Sequence, residues 1–177
     1  MGKIRIIGGI HRSRQLTVLD ANGLRPTLDR VKETLFNWLG QDLTGLNCLD
    51  AFSGSGSLGF EAISRNAKSV IMIELEQRVY QQLVTNQKLL NVNNCQIIHG
   101  NATEFLKTTN LVFDVIFLDP PYNSNLLTKI LPLARNKLNS NGYIYAEYQH
   151  SYDFADFTIV KHGKAGVVNY VLLQVKD

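Results

Sequence analysis

The residues best suited to chemistry are the four in Asp119-Pro120-Pro121-Tyr122. They follow an apolar run, residues 112–118, which predicts a buried strand of a parallel sheet. Because two consecutive prolines cannot continue a strand, we expect the strand to stop at Asp119. A carboxylate, carbonyls and an aromatic ring would then lie at the carboxyl end of a central strand, the edge where open α/β sheets bind ligands. From these residues alone, a rigid turn without chemistry is the alternative.

These groups suit the methylation of an exocyclic amine on a nucleobase. Such an amine is a poor nucleophile because its lone pair is delocalised into the ring. Asp119 and the carbonyl of Pro120 could each accept a hydrogen bond from one of its two N–H groups. These bonds would turn the lone pair of the nitrogen toward an electrophile. Tyr122 could stack on a flipped base, an interaction worth roughly 1–3 kcal/mol. A transfer of this kind needs no metal and no covalent enzyme intermediate, since positioning can account for most of the rate.

A second motif lies earlier in the chain, between a predicted strand at 46–51 and a predicted helix from residue 57. Gly54, Gly56 and Gly59 form G-x-G-x-x-G in this strand-to-helix context. Glycines permit positive φ angles and a close approach of the backbone to a ligand. Glu74 ends the next predicted strand, where a carboxylate can accept both hydroxyls of a ribose. Dinucleotides and S-adenosylmethionine both fit this pattern.

Asp50 distinguishes between these two candidate ligands. It ends the first predicted strand, four residues before Gly54, and could pair with the ammonium group of a methionine moiety. A dinucleotide site instead needs a helix N-terminus free to hold a pyrophosphate, which a nearby carboxylate would repel. The sequence therefore favours S-adenosylmethionine as the cofactor. A nicotinamide-dependent oxidoreductase is less favoured, also because no hydride-handling group is evident.

The elements that position these motifs alternate between strand and helix, which predicts an α/β fold with a doubly wound, Rossmann-like sheet of seven strands. We expect strands at 46–51, 69–74, 95–99, 112–118 and 143–148, the last after a turn at Asn141-Gly142. We expect helices at 57–66, 76–90, 102–107 and 126–138. Residues 157–161 and 168–175 should form an antiparallel hairpin at the sheet edge, joined by residues 162–166, because no helix separates them.

A small extension precedes this sheet. Residues 4–7 and 15–19 predict a β-hairpin whose loop carries His11, Arg12 and Arg14. Thr27 is a suitable N-cap for the helix that follows, which Gly40 or Gly45 would end. We expect residues 1–177 to form one domain, with residues 1–40 packed on the sheet.

The charge is concentrated in this extension. Residues 1–32 contain seven lysines and arginines against two aspartates, which gives +5, whereas the whole chain carries +3. A basic end on a nearly neutral body predicts a nucleic-acid-binding extension. The alternative is that solvated basic side chains simply cover a small hairpin.

The composition is that of an ordinary globular protein, with 45% hydrophobic and 19% charged residues. No apolar run reaches membrane-spanning length and no signal peptide is evident, so we expect a cytoplasmic protein without a membrane partner. Cys48 and Cys95 lie in predicted strands and suit buried, reduced thiols. No metal site is predicted, because the four histidines are scattered. They are His11, His99, His150 and His162.

The chain as a whole resembles the bacterial 16S ribosomal RNA guanine-N2 methyltransferases of the class I, S-adenosylmethionine-dependent fold. The resemblance covers nearly the whole sequence. Its segments are 5–9, 24–27, 29–39, the glycine loop through Ala62, and Asp119-Pro120-Pro121-Tyr122. Segment 25–39 is the most specific of these, because the other motifs occur in many amino-methyltransferases.

The resemblance implies a substrate and a set of site residues. The substrate would be N2 of a guanine in 16S ribosomal RNA, guanine 966, within the assembled or assembling small subunit, and the protein would act as a monomer. The catalytic residues would be Asp119, Pro120, Pro121 and Tyr122. The cofactor residues would be Asp50, Phe52, Gly54, Gly56, Glu74, Leu75, Asn101 and Ala102, with Asn101 toward the adenine. The RNA-binding residues would be Arg5, Arg12, Arg14, Arg25, Thr27 and Arg30.

Two other functions stay open at this point. An adenine-N6 methyltransferase acting on DNA or RNA is possible, because the same tetrapeptide serves both amines. A non-catalytic RNA-binding module would keep the glycine loop only for structure. Arg25, Thr27 and Arg30 also have a purely structural interpretation, as helix caps and partners of a local salt bridge.

Overall fold

A central sheet flanked by helices organises the protein in the computed structural model, which describes residues 1–19, 29–122 and 125–177. The strands are β1 Gly2–Arg5, β2 Gln15–Val18, β3 Asn47–Asp50, β4 Ser69–Glu74, β5 Cys95–His99, β6 Phe113–Leu118, β7 Leu138–Tyr148, β8 Phe157–Ala165 and β9 Val168–Val175. The helices are α1 Asp29–Trp38, α2 Ser57–Ser64, α3 Gln77–Leu90, α4 Ala102–Thr108 and α5 Leu126–Arg135.

Seven of these strands form one sheet, in the order β5-β4-β3-β6-β7-β9-β8. The first five of that order run parallel, whereas β9 is antiparallel to both β7 and β8. Helices α1, α2 and α3 pack on one face of the sheet, and α4 and α5 pack on the other. The predicted α/β fold with a doubly wound sheet and a C-terminal hairpin is confirmed.

The strand order reverses between β3 and β6, because the chain leaves β3 in one direction toward β5 and returns to place β6 on the other side. Asp50 ends β3 opposite Phe117 of β6. A reversal of this kind opens a crevice at the carboxyl ends of the two strands. The predicted catalytic tetrapeptide and the glycine loop both follow these two strands, so the topology brings them to one crevice.

The N-terminal extension forms a hairpin, in which β1 and β2 are antiparallel with Gly2 opposite Val18 and Arg5 opposite Gln15. Its first strand spans residues 2–5 instead of the predicted 4–7. The buried side chains of Ile4, Leu16 and Val18 belong to the same hydrophobic cluster as α1, α2 and α3. The hairpin is therefore packed against the helical layer on that face of the sheet.

The boundary between α5 and β7 differs from the sequence prediction. The strand predicted to start at residue 143 already begins at Leu138, and the helix before it ends at Arg135 instead of residue 138. The predicted turn at Asn141-Gly142 lies within β7, where Asn141 has φ 64° and the pairing with β6 shifts register. The turn residues therefore make an irregularity in a continuing strand, instead of separating a helix from a strand.

Another difference concerns the C-terminal hairpin. The predicted connection at 162–166 is mostly strand, because β8 continues to Ala165 and only Gly166 and Val167 form the turn. Gly163 is needed inside β8 because the ring of Tyr170 lies over it, and a Cβ there would be 2.3 Å from Tyr170 Cζ. A glycine that looked like a loop residue thus serves close packing.

Several other properties of the described segments bear on function. None of their helices is long and apolar enough to cross a membrane. Among residues 1–19, 29–122 and 125–177, no group of three or more His, Cys, Asp or Glu side chains is arranged to hold a metal ion. Cys48 and Cys95 are buried free thiols, and burial raises the pKa of each to about 12.

Candidate active site

The glycine loop between β3 and α2 has the backbone geometry that its sequence predicts. Gly54 has φ 50° and Gly56 has φ 81°, both in the left-handed region. Gly56 is also the N-cap residue of α2, and a Cβ there would lie 2.6 Å from the Phe60 ring and 2.7 Å from Leu83. The loop therefore requires glycine at this position, for its backbone angle and for its packing.

Glu74, at the end of β4, holds this loop in place. Its Oε2 accepts a hydrogen bond from the backbone N–H of Gly54 at 2.9 Å, and its Oε1 accepts one from the N–H of Glu76 at 2.8 Å. The carboxylate is thus oriented at the crevice by two backbone donors. Each carboxylate oxygen has a further lone pair, so these contacts are compatible with accepting ribose hydroxyls.

Asp50 is buried directly beneath the loop, with 2% of its surface exposed. Its Oδ2 accepts a hydrogen bond from the backbone N–H of Gly59 at 3.0 Å, which ties β3 to the first turn of α2. Burial raises the pKa of Asp50 to about 7; the hydrogen bond from Gly59 opposes this shift and the charge of Glu74 adds to it. The pairing of Asp50 with an ammonium group stays a prediction.

The predicted adenine side of the site lies around the ends of β4 and β5. The backbone N–H of Gly100 donates to the carbonyl of Glu74 at 2.9 Å, which places Asn101 next to the end of β4. Leu75 has 67% of its surface exposed, whereas Phe52 is half-buried and Ala102 is buried. The contacts of Phe52, Leu75 and Ala102 with the cofactor stay predictions.

Asn101 has a structural contact that the sequence analysis did not predict. It is the N-cap residue of α4, and its Oδ1 accepts a hydrogen bond from the backbone N–H of Glu104 at 3.1 Å. The pattern Asn101-Ala102-Thr103-Glu104 at a predicted helix start could have indicated this cap. The adenine contact stays a prediction, and the capping bond fixes the orientation of the amide that would make it.

The predicted catalytic tetrapeptide follows β6 directly, with Asp119 half-buried and Pro120 buried. Tyr122 donates its hydroxyl hydrogen bond to Glu147 Oε2 at 2.8 Å. Glu147 also accepts a hydrogen bond from Tyr145 at Oε1, at 2.6 Å, and only 5% of its surface is exposed. The sequence analysis missed Glu147, although a lone glutamate within the apolar run of β7 was a possible signal.

A buried cluster of charged side chains joins the N-terminal extension to α2. Glu61 of α2 is fully buried and accepts hydrogen bonds from the backbone N–H groups of Ile7, at 3.1 Å, and Gly8, at 2.9 Å. It pairs with Arg65 at 3.0 Å and with Lys32 at 3.5 Å. Burial lowers the pKa of Lys32, and the charge of Glu61 opposes that shift. Sequence reasoning did not identify this cluster.

The predicted RNA-binding residues have different surroundings. Arg5 and Arg12 are exposed and line an open groove of about 600 Å³ between the extension and α1, where Arg5 pairs with Asp29 at 3.0 Å. Arg14 donates to the carbonyl of Leu89 in α3 at 3.2 Å. Arg30 is exposed in the first turn of α1. The last two predicted RNA-binding residues, Arg25 and Thr27, lie outside the described residues.

Comparisons with known proteins agree with this architecture. A family model described as conserved hypothetical protein 95 matches residues 4–174. Ribosomal RNA small subunit methyltransferase D of Haemophilus influenzae is 43% identical, over 98% of this chain and 94% of the relative. The protein of the same name from Escherichia coli strain K12 is 40% identical, over 98% of this chain and 90% of the relative.

Solved structures of other proteins are also similar to this chain. The yhhF protein of Escherichia coli is 40% identical and superposes with a TM-score of 0.89, covering 99% of each chain. A more distant structure, SMU.776 complexed with SAH, is 16% identical with a TM-score of 0.67, over 82% of this chain and 48% of that one. The second likeness extends to the fold alone.

Proposed function

The chain belongs to the family described as conserved hypothetical protein 95, and from that premise we propose that it methylates the exocyclic N2 of a guanine in small-subunit ribosomal RNA. The relatives at 40–43% identity that cover almost the whole chain are named as small-subunit ribosomal RNA methyltransferases. S-adenosylmethionine is the methyl donor, for which the glycine loop and the carboxylate of Glu74 provide a suitable site.

The residues of the crevice have separate roles in holding this cofactor. The backbone of Gly54 and Gly56 lines the methionine portion, and Asp50 faces the ammonium group. Glu74 accepts the ribose hydroxyls while its backbone bonds keep it oriented. Asn101 contacts the adenine, and the remaining cofactor residues are Phe52, Leu75 and Ala102. Bound S-adenosylmethionine supplies a methyl group on a sulfonium sulfur, which leaves as the neutral thioether when a nitrogen attacks the methyl carbon.

The observation that carries the proposal is the strand order: Asp119 and Pro120 follow β6, and the glycine loop follows the neighbouring strand β3, where the order reverses. Asp119 and the carbonyl of Pro120 each accept a hydrogen bond from one N–H group of the guanine amine. These two bonds turn the lone pair of the nitrogen toward the methyl group. Asp119 takes a proton late, once the methylated nitrogen is strongly acidic. Tyr122 stacks on the flipped base. Positioning accounts for most of the rate enhancement.

The choice of guanine depends on a different part of the chain. The tetrapeptide suits guanine and adenine amines equally, and the resemblance in segment 25–39 is what favours guanine. By the same resemblance, the target is guanine 966 in an assembled or assembling small subunit. The exposed side chains of Arg5, Arg12, Arg14 and Arg30 would contact the RNA backbone, together with Arg25 and Thr27.

A direct test is methyl transfer from labelled S-adenosylmethionine to assembled small subunits and, in parallel, to free 16S RNA. Nuclease digestion and mass analysis of the nucleosides then identify the product and its position. We expect N2-methylguanosine at a single site, with more transfer to assembled subunits than to free RNA. N6-methyladenosine as the product would support the adenine alternative and contradict this proposal.

Calorimetry with S-adenosylmethionine tests the non-catalytic alternative. A methyltransferase should bind the cofactor well below millimolar concentration. Absence of binding at millimolar concentration would instead favour an RNA-binding module in which the glycine loop is only structural.

A further inference from the structure

We propose that Glu147 is a positioning residue for the transfer, and that it acts by holding the hydroxyl group of Tyr122. Ala146 of β7 lies opposite Leu118 of β6, so Glu147 follows at the same sheet edge as Asp119. The proposal rests on the function proposed above, and it adds a residue that neither the tetrapeptide nor the glycine loop contains.

The carboxylate of Glu147 is nearly inaccessible to solvent, with 5% of the residue exposed. Its two oxygens accept one phenolic hydroxyl each: Tyr122 donates to Oε2 at 2.8 Å and Tyr145 donates to Oε1 at 2.6 Å. Bonds of this type to an ionised carboxylate are shorter and stronger than bonds between neutral groups. Each oxygen of this buried carboxylate therefore has a hydroxyl group as its donor.

The two tyrosines differ in their surroundings, and this difference assigns their roles. Tyr145 is fully buried in β7, where its ring packs against Phe117 and Tyr170. It fixes the carboxylate from inside the protein. Tyr122 is half-buried at the crevice and belongs to the tetrapeptide that follows β6. Glu147 therefore connects a rigid core residue to the one aromatic ring of the tetrapeptide.

A ring that stacks on a flipped base is more effective when its orientation is set before the base arrives. The hydrogen bond to Glu147 restricts rotation of the Tyr122 side chain, so less conformational entropy is lost when the base stacks. A carboxylate suits this task better than an amide, because it can accept from both hydroxyls at once. A glutamine would have only one acceptor oxygen and would present a donor to the second tyrosine.

A double-mutant cycle tests the connection between the two residues. The variants are Tyr122→Phe, Glu147→Gln and the double variant, and Tyr143→Phe is the matched control in the middle of β7. The assay is methyl transfer from labelled cofactor to assembled small subunits, whichever base is modified. We expect each single variant to lose about 10-fold to 100-fold in kcat, with little change in KM or in cofactor affinity, and the control to keep wild-type kinetics.

The double variant gives the decisive comparison. If Glu147 acts through the Tyr122 hydroxyl, the double variant should be no slower than the slower single variant. Two outcomes would overturn the proposal: wild-type kcat in either single variant, or losses that multiply in the double variant. Tyr122→Phe keeps the test valid if Glu147→Gln folds poorly, because it removes the same hydrogen bond from the crevice side.

Tyr145→Phe distinguishes positioning from a general loss of stability. This substitution removes the other hydrogen bond of Glu147 but leaves the bond to Tyr122 in place. We expect its melting temperature to fall further than that of Tyr122→Phe while its kcat falls less. If the variant with the lower melting temperature also had the lower kcat, the result would contradict a positioning role.

Nuclear magnetic resonance with ring-labelled tyrosine separates failure of this inference from failure of the proposed function. The measurement uses the full chain and needs no methyl transfer. We expect the Tyr122 ring to be ordered in the wild-type protein and to become mobile in Glu147→Gln. An equally ordered ring in both proteins would overturn the inference and leave the proposed function standing. The absence of any RNA methylation by the wild-type protein would overturn the proposed function, whatever the order of the ring.

Discussion

Glu61 of α2 accepts a hydrogen bond from the backbone N–H of Gly8 at 2.9 Å, across 53 residues of sequence. Gly8 lies in the basic extension, and α2 begins at the glycine loop of the candidate active site. One helix therefore contacts the predicted RNA-binding extension through its middle and the predicted cofactor loop through its first turn. The charge that makes this contact is fully buried.

Glu61→Ala should strongly destabilise the fold. The substitution leaves the buried cations of Lys32 and Arg65 without their shared carboxylate. Breaking a buried ion pair in this way typically costs about 3–5 kcal/mol of the free energy of unfolding, which urea denaturation would measure. Glu104→Ala is the control, because it removes an exposed partner of Lys107 at 3.0 Å and should cost less than about 1 kcal/mol. Equal losses in the two variants would contradict the structural role of Glu61.

Asp119→Ala should abolish methyl transfer and leave cofactor affinity within about a few-fold of wild type, since Asp119 orients the amine instead of binding the donor. Transfer to assembled small subunits and calorimetry with S-adenosylmethionine measure the two quantities. Asp156→Ala is the control, because this exposed residue precedes β8 at the opposite edge of the sheet. Normal turnover by Asp119→Ala would show that the assigned role is wrong.

The stability of the protein should carry a pH dependence from Asp50. Burial raises the pKa of Asp50 from 3.8 to about 7. Between these values the unfolded chain has released the proton and the folded chain keeps it, so this contribution to stability is full below about pH 4 and is lost as the pH rises to about 7. The free energy of unfolding of Asp50→Asn should therefore decline less than that of wild type across this range. Parallel urea denaturation series would measure both, and identical slopes would contradict the prediction.

Cofactor binding should release a proton if Asp50 pairs with the ammonium group. A nearby cation stabilises the ionised carboxylate, so it lowers the raised pKa of Asp50. Calorimetric titration at about pH 6.5, in two buffers of different ionisation enthalpy, measures the number of protons released. We expect release in the wild-type protein and a smaller release in Asp50→Asn. No difference between the two would assign Asp50 to the loop contact with Gly59 alone.

Replacing Arg12 and Arg14 with glutamine should weaken RNA binding and reduce its dependence on salt concentration. Each phosphate contact that is lost removes about one released counterion from the slope of log affinity against log salt. Lys107→Gln in α4 is the control, because that helix packs on the other face of the sheet from the extension. Titrations of assembled small subunits at several salt concentrations measure the slopes. An unchanged slope for the arginine variants would mean that these side chains are only solvated surface.

The sequence by itself determined most of the fold and two motifs of the candidate site. The apolar run of β6 ends at two prolines, and the glycines of the β3–α2 loop adopt positive φ angles, because both features depend on neighbouring residues along the chain. Strand β4 and strand β5 have the predicted bounds for the same reason. The irregular start of β7 was not predicted, since it depends on pairing with β6 across the sheet.

Only the tertiary structure decided the roles of the buried charged residues. In a sequence, Lys32, Glu61 and Glu147 look like solvated surface residues, because charge usually lies outside. Each of them has at least one partner that is distant along the chain: Lys32 and Glu61 are 29 residues apart, Gly8 and Glu61 are 53 apart, and Tyr122 and Glu147 are 25 apart. A buried carboxylate is stable only where donors converge on it, and that convergence depends on how the strands and helices pack.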